Sequence, residues 1–163
     1  IHPSAELSAY AVVIVPTLYL VTDDDAASIR AAAERGAQVL VTYVSGLVDE
    51  NDHVRLGGYP GAFTDLLGVR VEEFNPLLPG DSVALTRGTG ARWSEFATAT
   101  DAEVLISYAG GPVAGSPALT CRRVGSGAAW YAGTRFDDDT WRSVLGEVID
   151  AAGVEPARVL VSV

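Results

Sequence analysis

Two apolar runs decide the fold: residues 10–15 read YAVVIV and residues 38–44 read QVLVTYV. Short continuous runs of β-branched residues are typical of strands buried on both faces of a parallel sheet. Between the runs, Thr22 and the three aspartates that follow it predict a capped helix start, and Gly36 predicts the helix end. Residues 10–44 therefore predict a β-α-β unit, which places the chain in the α/β class.

The elements after this unit have weaker patterns. Residues 61–67 suit a short helix ended by Gly68, and residues 69–74 alternate like a half-buried strand. Five more strand candidates lie at 82–85, 93–99, 103–109, 118–124 and 128–134. We predict that the middle of the chain adds antiparallel strands to the α/β core. Residues 157–163 predict a final strand.

The last helix has the strongest pattern in the chain. Its single apolar face consists of Trp141, Val144, Leu145, Val148, Ile149 and Ala152. Asp137 predicts the N-terminal cap, and Phe136 with Trp141 predicts a hydrophobic staple across that cap. Gly153 is expected to end the helix.

Composition limits the possible functions. The chain has 163 residues, which suit one domain over 1–163, and we find no repeat or linker that would divide it. It carries 21 acidic against 11 basic residues, a net charge of −10. Binding to nucleic acid or to an anionic membrane needs a basic surface, so both partners are disfavoured.

Residue usage also suggests where the chain works and what it belongs to. A single cysteine allows no internal disulfide and fits a reducing compartment, so we expect a cytoplasmic protein. The apolar runs are far shorter than the ~20 residues of a membrane-spanning helix. The chain contains no methionine and opens with Ile1, His2 and Pro3, so we expect it to be a piece of a longer polypeptide.

Ligands of parallel α/β sheets gather at the carboxyl ends of the strands. This rule places the loops 16–22, 45–60 and 110–117 along one edge, which we take as the candidate functional edge. The long loop carries a polar cluster: Asp49, Glu50, Asn51, Asp52 and His53. Its spacing fits neither a calcium loop nor a structural zinc site, so a self-capping turn is favoured over a metal site. A role in protein contacts stays open.

Two side chains are candidate nucleophiles, and both have simpler interpretations. Ser45 follows a strand, as a catalytic serine would, but lacks the flanking glycines of a nucleophile elbow, which weakens a Ser45–His53 pair. Cys121 lies within a strand candidate, where a small buried side chain is the usual role. Arg122 and Arg123 would lower the pKa of its thiol only if that thiol were exposed.

No cofactor or metal is predicted. The glycine-rich segments are followed by strands rather than by helices, so they do not form phosphate-binding loops. The other carboxylate clusters, Glu72 with Glu73, Asp101 with Glu103, and residues 137–139, are interpreted as solvated faces or as a helix cap. Two alternatives remain open: a stand-alone amidotransferase-like or ester hydrolase that uses Ser45 or Cys121, and a small-ligand binding module.

Three long segments resemble one known family. They are residues 7–22 (LSAYAVVIVPTLYLVT), residues 41–74 (VTYVSGLVDENDHVRLGGYPGAFTDLLGVRVEEF) and residues 122–138 (RRVGSGAAWYAGTRFDD). They are similar to the middle domain of β-galactosidases of glycoside hydrolase family 42. The resemblance covers nearly the whole chain.

The resemblance implies a three-layer fold like that of class I glutamine amidotransferases, which is related to flavodoxin, with a mostly parallel sheet and added antiparallel strands. It also implies that the first β-α unit of the domain is missing. The implied role is trimerisation within an enzyme that hydrolyses terminal β-D-galactosides with retention. The two catalytic glutamates would lie on a (β/α)₈ barrel outside this chain, so no catalytic residue is expected here. No cysteine follows an early strand, so amidotransferase activity is not expected.

The resemblance further implies the partners: other copies in a homotrimer, the barrel domain of the same polypeptide, and a galactoside bound by the parent enzyme. We expect the candidate functional edge, called the loop edge below, to contact a neighbouring copy or to wall the mouth of the active site. The candidate residues for the interface or rim are Tyr19, Ser45, Asp49, Glu50, Asn51, Asp52, His53, Gly58, Tyr59 and Pro60.

Overall fold

A computed structural model describes residues 2–155. The helices are α1 (Asp23–Arg35), α2 (Thr64–Leu67), which follows a 3₁₀ turn at Gly61–Phe63, and α3 (Asp138–Ala151). The strands are β1 (Val12–Val15), β2 (Gln38–Thr42), β3 (Val69–Pro76), β4 (Ser82–Ala84), β5 (Thr89–Ala91), β6 (Trp93–Ala99), β7 (Glu103–Ser107), β8 (Pro117–Val124), β9 (Gly127–Ala132) and β10 (Arg135–Phe136). The final strand predicted at 157–163 lies outside the described residues.

The largest sheet has five strands in the order β1-β2-β9-β8-β7. β1, β2 and β9 are parallel, whereas β8 runs antiparallel to both of its neighbours. The predicted β-α-β unit is therefore confirmed. The prediction that the strands added after this unit are antiparallel is confirmed for β8 but wrong for the candidate at 128–134, because β9 pairs in parallel with β2 at the centre of the sheet.

The two predicted buried strands differ in their surroundings. Every residue of β2 is buried, as predicted. Among the described residues β1 forms the edge of the sheet, and the side chain of Ile14 is 50% exposed. The prediction that β1 is buried on both faces is therefore wrong, because an apolar run does not show whether a strand has one neighbour or two.

Helices cover both faces of this sheet. Val39 and Val41 of β2 pack in one core with Ile29 of α1, while Leu40 faces the opposite side and packs in a second core with Val144 of α3. Successive side chains of a strand point to opposite faces, so α1 and α3 lie on opposite sides. The described part of the chain is thus a mixed α/β structure with three layers.

The helix boundaries follow the predicted signals. The hydroxyl of Thr22 accepts a hydrogen bond from the Asp25 N–H, and the carboxylate of Asp137 accepts one from the Thr140 N–H. The Phe136 and Trp141 rings meet edge to face with centroids 5.0 Å apart, which confirms the staple.

Two smaller sheets hold the middle of the chain. β3 pairs with β6, and β10, β5 and β4 form a separate sheet. The candidates at 69–74, 82–85 and 93–99 are therefore strands, but they do not extend the main sheet. β5 and β10 were not predicted, because two or three residues are too few to show an alternating pattern.

Candidate functional site

The loops after β1 and β2 meet at the carboxyl end of the main sheet, as the topology rule predicts. The Ser45 hydroxyl accepts a hydrogen bond from the Leu18 N–H at 3.0 Å and donates one to the Val15 carbonyl at 3.4 Å. The Thr42 hydroxyl accepts from the Thr17 N–H at 2.8 Å. These side chains fasten one loop to the other, so the predicted candidates Tyr19 and Ser45 lie in neighbouring segments.

Gly46 is required where the loops join. Its φ is +70°, and a Cβ built there would lie 2.9 Å from the Pro60 carbonyl oxygen and 2.8 Å from the Phe63 ring. A side chain has no room at this point. The serine-glycine pair thus lets the beginning and the end of the long loop lie against each other.

The acidic part of the long loop closes on itself. The Asp49 carboxylate accepts hydrogen bonds from the N–H groups of Asn51 and His53, both at 2.9 Å. The His53 backbone bond is the main cause that lowers the pKa of Asp49. Glu50 and Asp52 are exposed, and within residues 2–155 no group of three His, Cys, Asp or Glu side chains could hold a metal ion. These contacts are those of a self-capping turn.

Beside this turn lie four exposed apolar side chains, here together called the loop-edge patch: Tyr19, Leu20, Val54 and Leu56. The Leu56 side chain is 96% exposed and Val54 is 55% exposed. Leu20 and Val54 both form β-bridges to Val48, so the two segments are held side by side. Sequence reasoning singled out only Tyr19 of these four. The others were missed because scattered loop residues have no periodicity.

Arg55 anchors the patch to the body of the domain. Its guanidinium donates hydrogen bonds to the Asp23 carboxylate and to the Val21 carbonyl, both at 2.7 Å. The ion pair lies at the N-terminus of α1. The loop that carries Val54 and Leu56 is thus fixed at its centre.

The predicted residues Gly58, Tyr59 and Pro60 lie where the loop returns towards β3. Tyr59 exchanges two backbone hydrogen bonds with Val71, and Pro60 is buried. The Tyr59 ring packs on Phe74 with centroids 4.4 Å apart, and Phe74 packs on Trp93 at 4.9 Å. Of the three, Tyr59 therefore belongs to a continuous aromatic row behind the loop.

The two candidate nucleophiles are placed as structural residues. The Ser45 hydroxyl is fully buried and is engaged with the backbone groups of Val15 and Leu18, and His53 makes its contacts with Asp49. Burial, and secondarily the Glu103 carboxylate, raises the pKa of the Cys121 thiol to about 11. A thiol with a raised pKa is a poor nucleophile at neutral pH.

One carboxylate was missed entirely. Glu95 is fully buried on β6, where its Oε2 accepts a hydrogen bond from the Trp93 indole N–H at 3.0 Å. The strand candidate at 93–99 did include it. Its position between Trp93 and Ala97, both two residues away and on the same face of the strand, is the signal that could have revealed its burial.

The sequence of this chain matches a known family and several known proteins. The family described as "Beta-galactosidase trimerisation domain" matches residues 1–155. A β-galactosidase of Arthrobacter sp is 54% identical over 157 residues, and the match covers 96% of this chain and 23% of that protein. The β-galactosidase LacZ of Heyndrickxia coagulans is 40% identical, with 96% and 24% covered.

Solved structures show the same likeness. The crystal structure of β-galactosidase from Bacillus circulans sp. alkalophilus is similar with a TM-score of 0.91 and 31% identity, over 94% of this chain and 24% of that one. The β-galactosidase of Halorubrum lacusprofundi gives 0.90 and 32%, over 96% and 24%. The chain thus spans about a quarter of the length of these proteins. Within residues 2–155, no helix is long and apolar enough to cross a membrane.

Proposed function

The chain belongs to the β-galactosidase trimerisation domain family of glycoside hydrolase family 42, and we propose that it joins three copies of a longer enzyme. The match over residues 1–155 carries this proposal. In a closed ring of three, one surface of each copy meets a different surface of the next. Such a domain needs an exposed apolar surface, and the loop-edge patch supplies one.

We propose that the longer enzyme hydrolyses terminal β-D-galactosides with retention. Its two catalytic glutamates would lie on a (β/α)₈ barrel domain outside this chain, as the similarity to β-galactosidases over a quarter of their length supports. The engaged Ser45 hydroxyl and the raised pKa of the Cys121 thiol favour this arrangement over a hydrolase built on either residue.

We propose the following partners: two further copies, the barrel domain and the galactoside held by the longer enzyme. The net charge of −10 argues against nucleic acid and against an anionic membrane. A single cysteine supports a cytoplasmic location.

We propose that the loop edge contacts a neighbouring copy and helps to wall its active-site mouth. The exposed candidates for direct contact are Tyr19, Glu50, Asn51, Asp52 and His53, together with the half-buried Asp49, Gly58 and Tyr59. Ser45 and Pro60 are buried, so they would not touch a neighbouring copy themselves but would hold the loop in the position that does.

We propose that the fold is of the class I glutamine amidotransferase-like, flavodoxin-related type. The parallel strands β1, β2 and β9 with helices on both faces support this assignment. We further propose that a strand from outside residues 1–163 pairs with β1. The half-exposed Ile14 and an apolar hollow beside it, lined by Leu7, Val13 and Leu18, support such pairing.

Sedimentation velocity of the full-length protein tests the assembly surface. A charge buried in an interface without a partner is costly, so Leu56→Asp is expected to weaken the trimer by at least about thirtyfold. Leu78→Asp is the matched control, because Leu78 is also strongly exposed but lies in the turn between β3 and β4.

Two results would contradict these proposals. A full-length protein that stays monomeric would contradict the trimer. A trimer weakened equally by both substitutions would show that the effect of Leu56→Asp is not specific to the loop-edge patch, and a trimer weakened by Leu78→Asp alone, or by neither, would place the contact away from it.

A further inference from the structure

A buried carboxyl group lies behind the loop edge and has no part in the assembly proposed so far. The Glu95 side chain is 0% exposed, and its Oε1 has no hydrogen-bond partner among residues 2–155. A Cβ added to Gly133 would lie 2.6 Å from that oxygen, so the β9 end of the main sheet presses close to it. An unpaired buried acid destabilises a fold, so its presence requires an explanation.

The groups that face Glu95 are uncharged. Tyr131 of β9 and Tyr108 after β7 face it with phenol groups, and β6 and β3 contribute Trp93 and the cross-strand neighbour Phe74. Within the described residues, Glu95 forms no ion pair with Arg or His. Burial raises the pKa of Glu95 to about 7, and the nearby Tyr131 hydroxyl and Trp93 indole limit the rise.

A continuous row of aromatic rings leads from this carboxyl group to the loop edge. Trp93, which donates to Glu95, packs on Phe74, and Phe74 packs on Tyr59. Tyr59 lines the same surface hollow as Val54 and Leu56 of the loop-edge patch. A displacement of Trp93 would therefore be transmitted through two ring contacts to Tyr59, and Tyr59 lies beside Val54 and Leu56 of the patch.

We propose that Glu95 is a positioning residue whose bound proton keeps the loop-edge patch in the shape that assembles. The inference rests on the assembly proposed above. Neutral Glu95 can stay buried beside Trp93. Once ionised, the carboxylate draws the Trp93 indole N–H and the nearby Tyr131 hydroxyl closer, because hydrogen bonds to a charged acceptor are shorter and stronger, and a shift of Trp93 moves the aromatic row.

The sign of the effect follows from the direction of the pKa change. Glu95 binds its proton more tightly in the folded protein than in an unfolded chain, so ionisation opposes the native arrangement. The trimer is expected to be tightest in mild acid and to weaken as the pH rises through about 7.

Sedimentation velocity of the full-length protein over a concentration series, at about pH 6 and about pH 8, measures this coupling. The wild-type dissociation constant is expected to rise about tenfold between the two conditions, and that of Glu95→Gln less than about twofold. Glu73→Gln is the matched control, because Glu73 is an exposed glutamate on the paired strand β3. The control is expected to keep the wild-type response.

Infrared spectroscopy gives a direct second readout. A protonated-carboxyl band should disappear in the wild type as the pH rises through about 7, and it should be missing from Glu95→Gln. If Glu95→Gln does not fold, Trp93→Phe replaces it: loss of the indole donor should shift the Glu95 band and leave the band of any catalytic glutamate on the barrel unchanged. A carboxyl band that is identical in the wild type and in Trp93→Phe overturns the inference.

The two proposals fail in different ways. A trimer whose pH response is the same in the wild type and Glu95→Gln overturns the role of Glu95 and leaves the assembly proposal intact. A wild-type protein that is monomeric at both pH values overturns the assembly proposal, and the role of Glu95 in assembly falls with it, even if the infrared band titrates as expected.

Discussion

The self-capping turn around Asp49 and the buried cluster of Glu95, Trp93 and Tyr131 each contain one carboxyl group. The two environments have opposite effects on the charge of that group. Backbone N–H groups surround the partly exposed Asp49 and lower its pKa, so the charged form stabilises the loop. Burial raises the pKa of Glu95, so there the neutral form is favoured. An acidic cluster in a loop is thus an ordinary structural feature, whereas a lone acid inside a sheet has a greater influence on stability.

The largest expected effect comes from removing the hydrogen-bond donor of the buried carboxylate. In Trp93→Phe a smaller aromatic ring replaces the indole, and Oε2 of Glu95 loses its bond to the indole N–H. The indole N–H favours the ionised form, so its loss raises the pKa of Glu95 further. The loss in the free energy of unfolding is expected to be smallest in mild acid and to grow as the pH rises above ~7, towards about 3 kcal/mol. Urea denaturation at several pH values measures the difference.

Trp141→Phe is the comparison variant, because Trp141 packs edge to face on Phe136 outside this cluster. Its loss of stability should not depend on pH. If Trp93→Phe also shows a loss that is constant with pH, Glu95 is not the group that makes the indole important.

Several features of the main sheet and its edge were predictable from local chemistry. Thr22 and Asp137 cap the helices that they were predicted to cap, because capping depends on residues close in sequence. The meeting of the loops after β1 and β2 followed from a rule about parallel strands. The exposed edge at Ile14 did not follow, because the number of neighbours of a strand depends on distant segments.

Glu95 shows the same limit within the candidate site. Its strand was predicted at 93–99 and observed as β6 over the same residues. Alternation places Glu95 on the same face of the strand as Trp93 and Ala97. How tightly that face is covered is fixed by the packing of β6 against the main sheet, which depends on distant segments. The aromatic row was unpredictable for the same reason, since Tyr59, Phe74 and Trp93 come from three separate segments.

A smaller effect is expected where a buried polar group is neutral. Ser45→Ala removes the acceptor for the Leu18 N–H and leaves that donor unpaired at the base of both loops. Stability should fall by about 1–2 kcal/mol at every pH, because a hydroxyl does not titrate in this range. Thermal unfolding measures the loss. Ser45→Thr tests whether the hydroxyl alone suffices in this fully buried position, and a Ser45→Ala variant as stable as wild type would contradict the role assigned to it.

The smallest effect is expected at Asp49, and its pH dependence should be the reverse of that at Glu95. The folded-state pKa of Asp49 is lowered, so its contribution is present above the unfolded value of 3.8 and is lost as the pH falls through the folded pKa. Asp49→Asn should lower Tm by no more than about 2 °C at neutral pH, because the amide oxygen can still accept from Asn51 and His53. Asp52→Asn is the control, since Asp52 is exposed. A Tm difference between Asp49→Asn and wild type that grows in acid would show that the two carboxylates do not respond to pH in opposite directions.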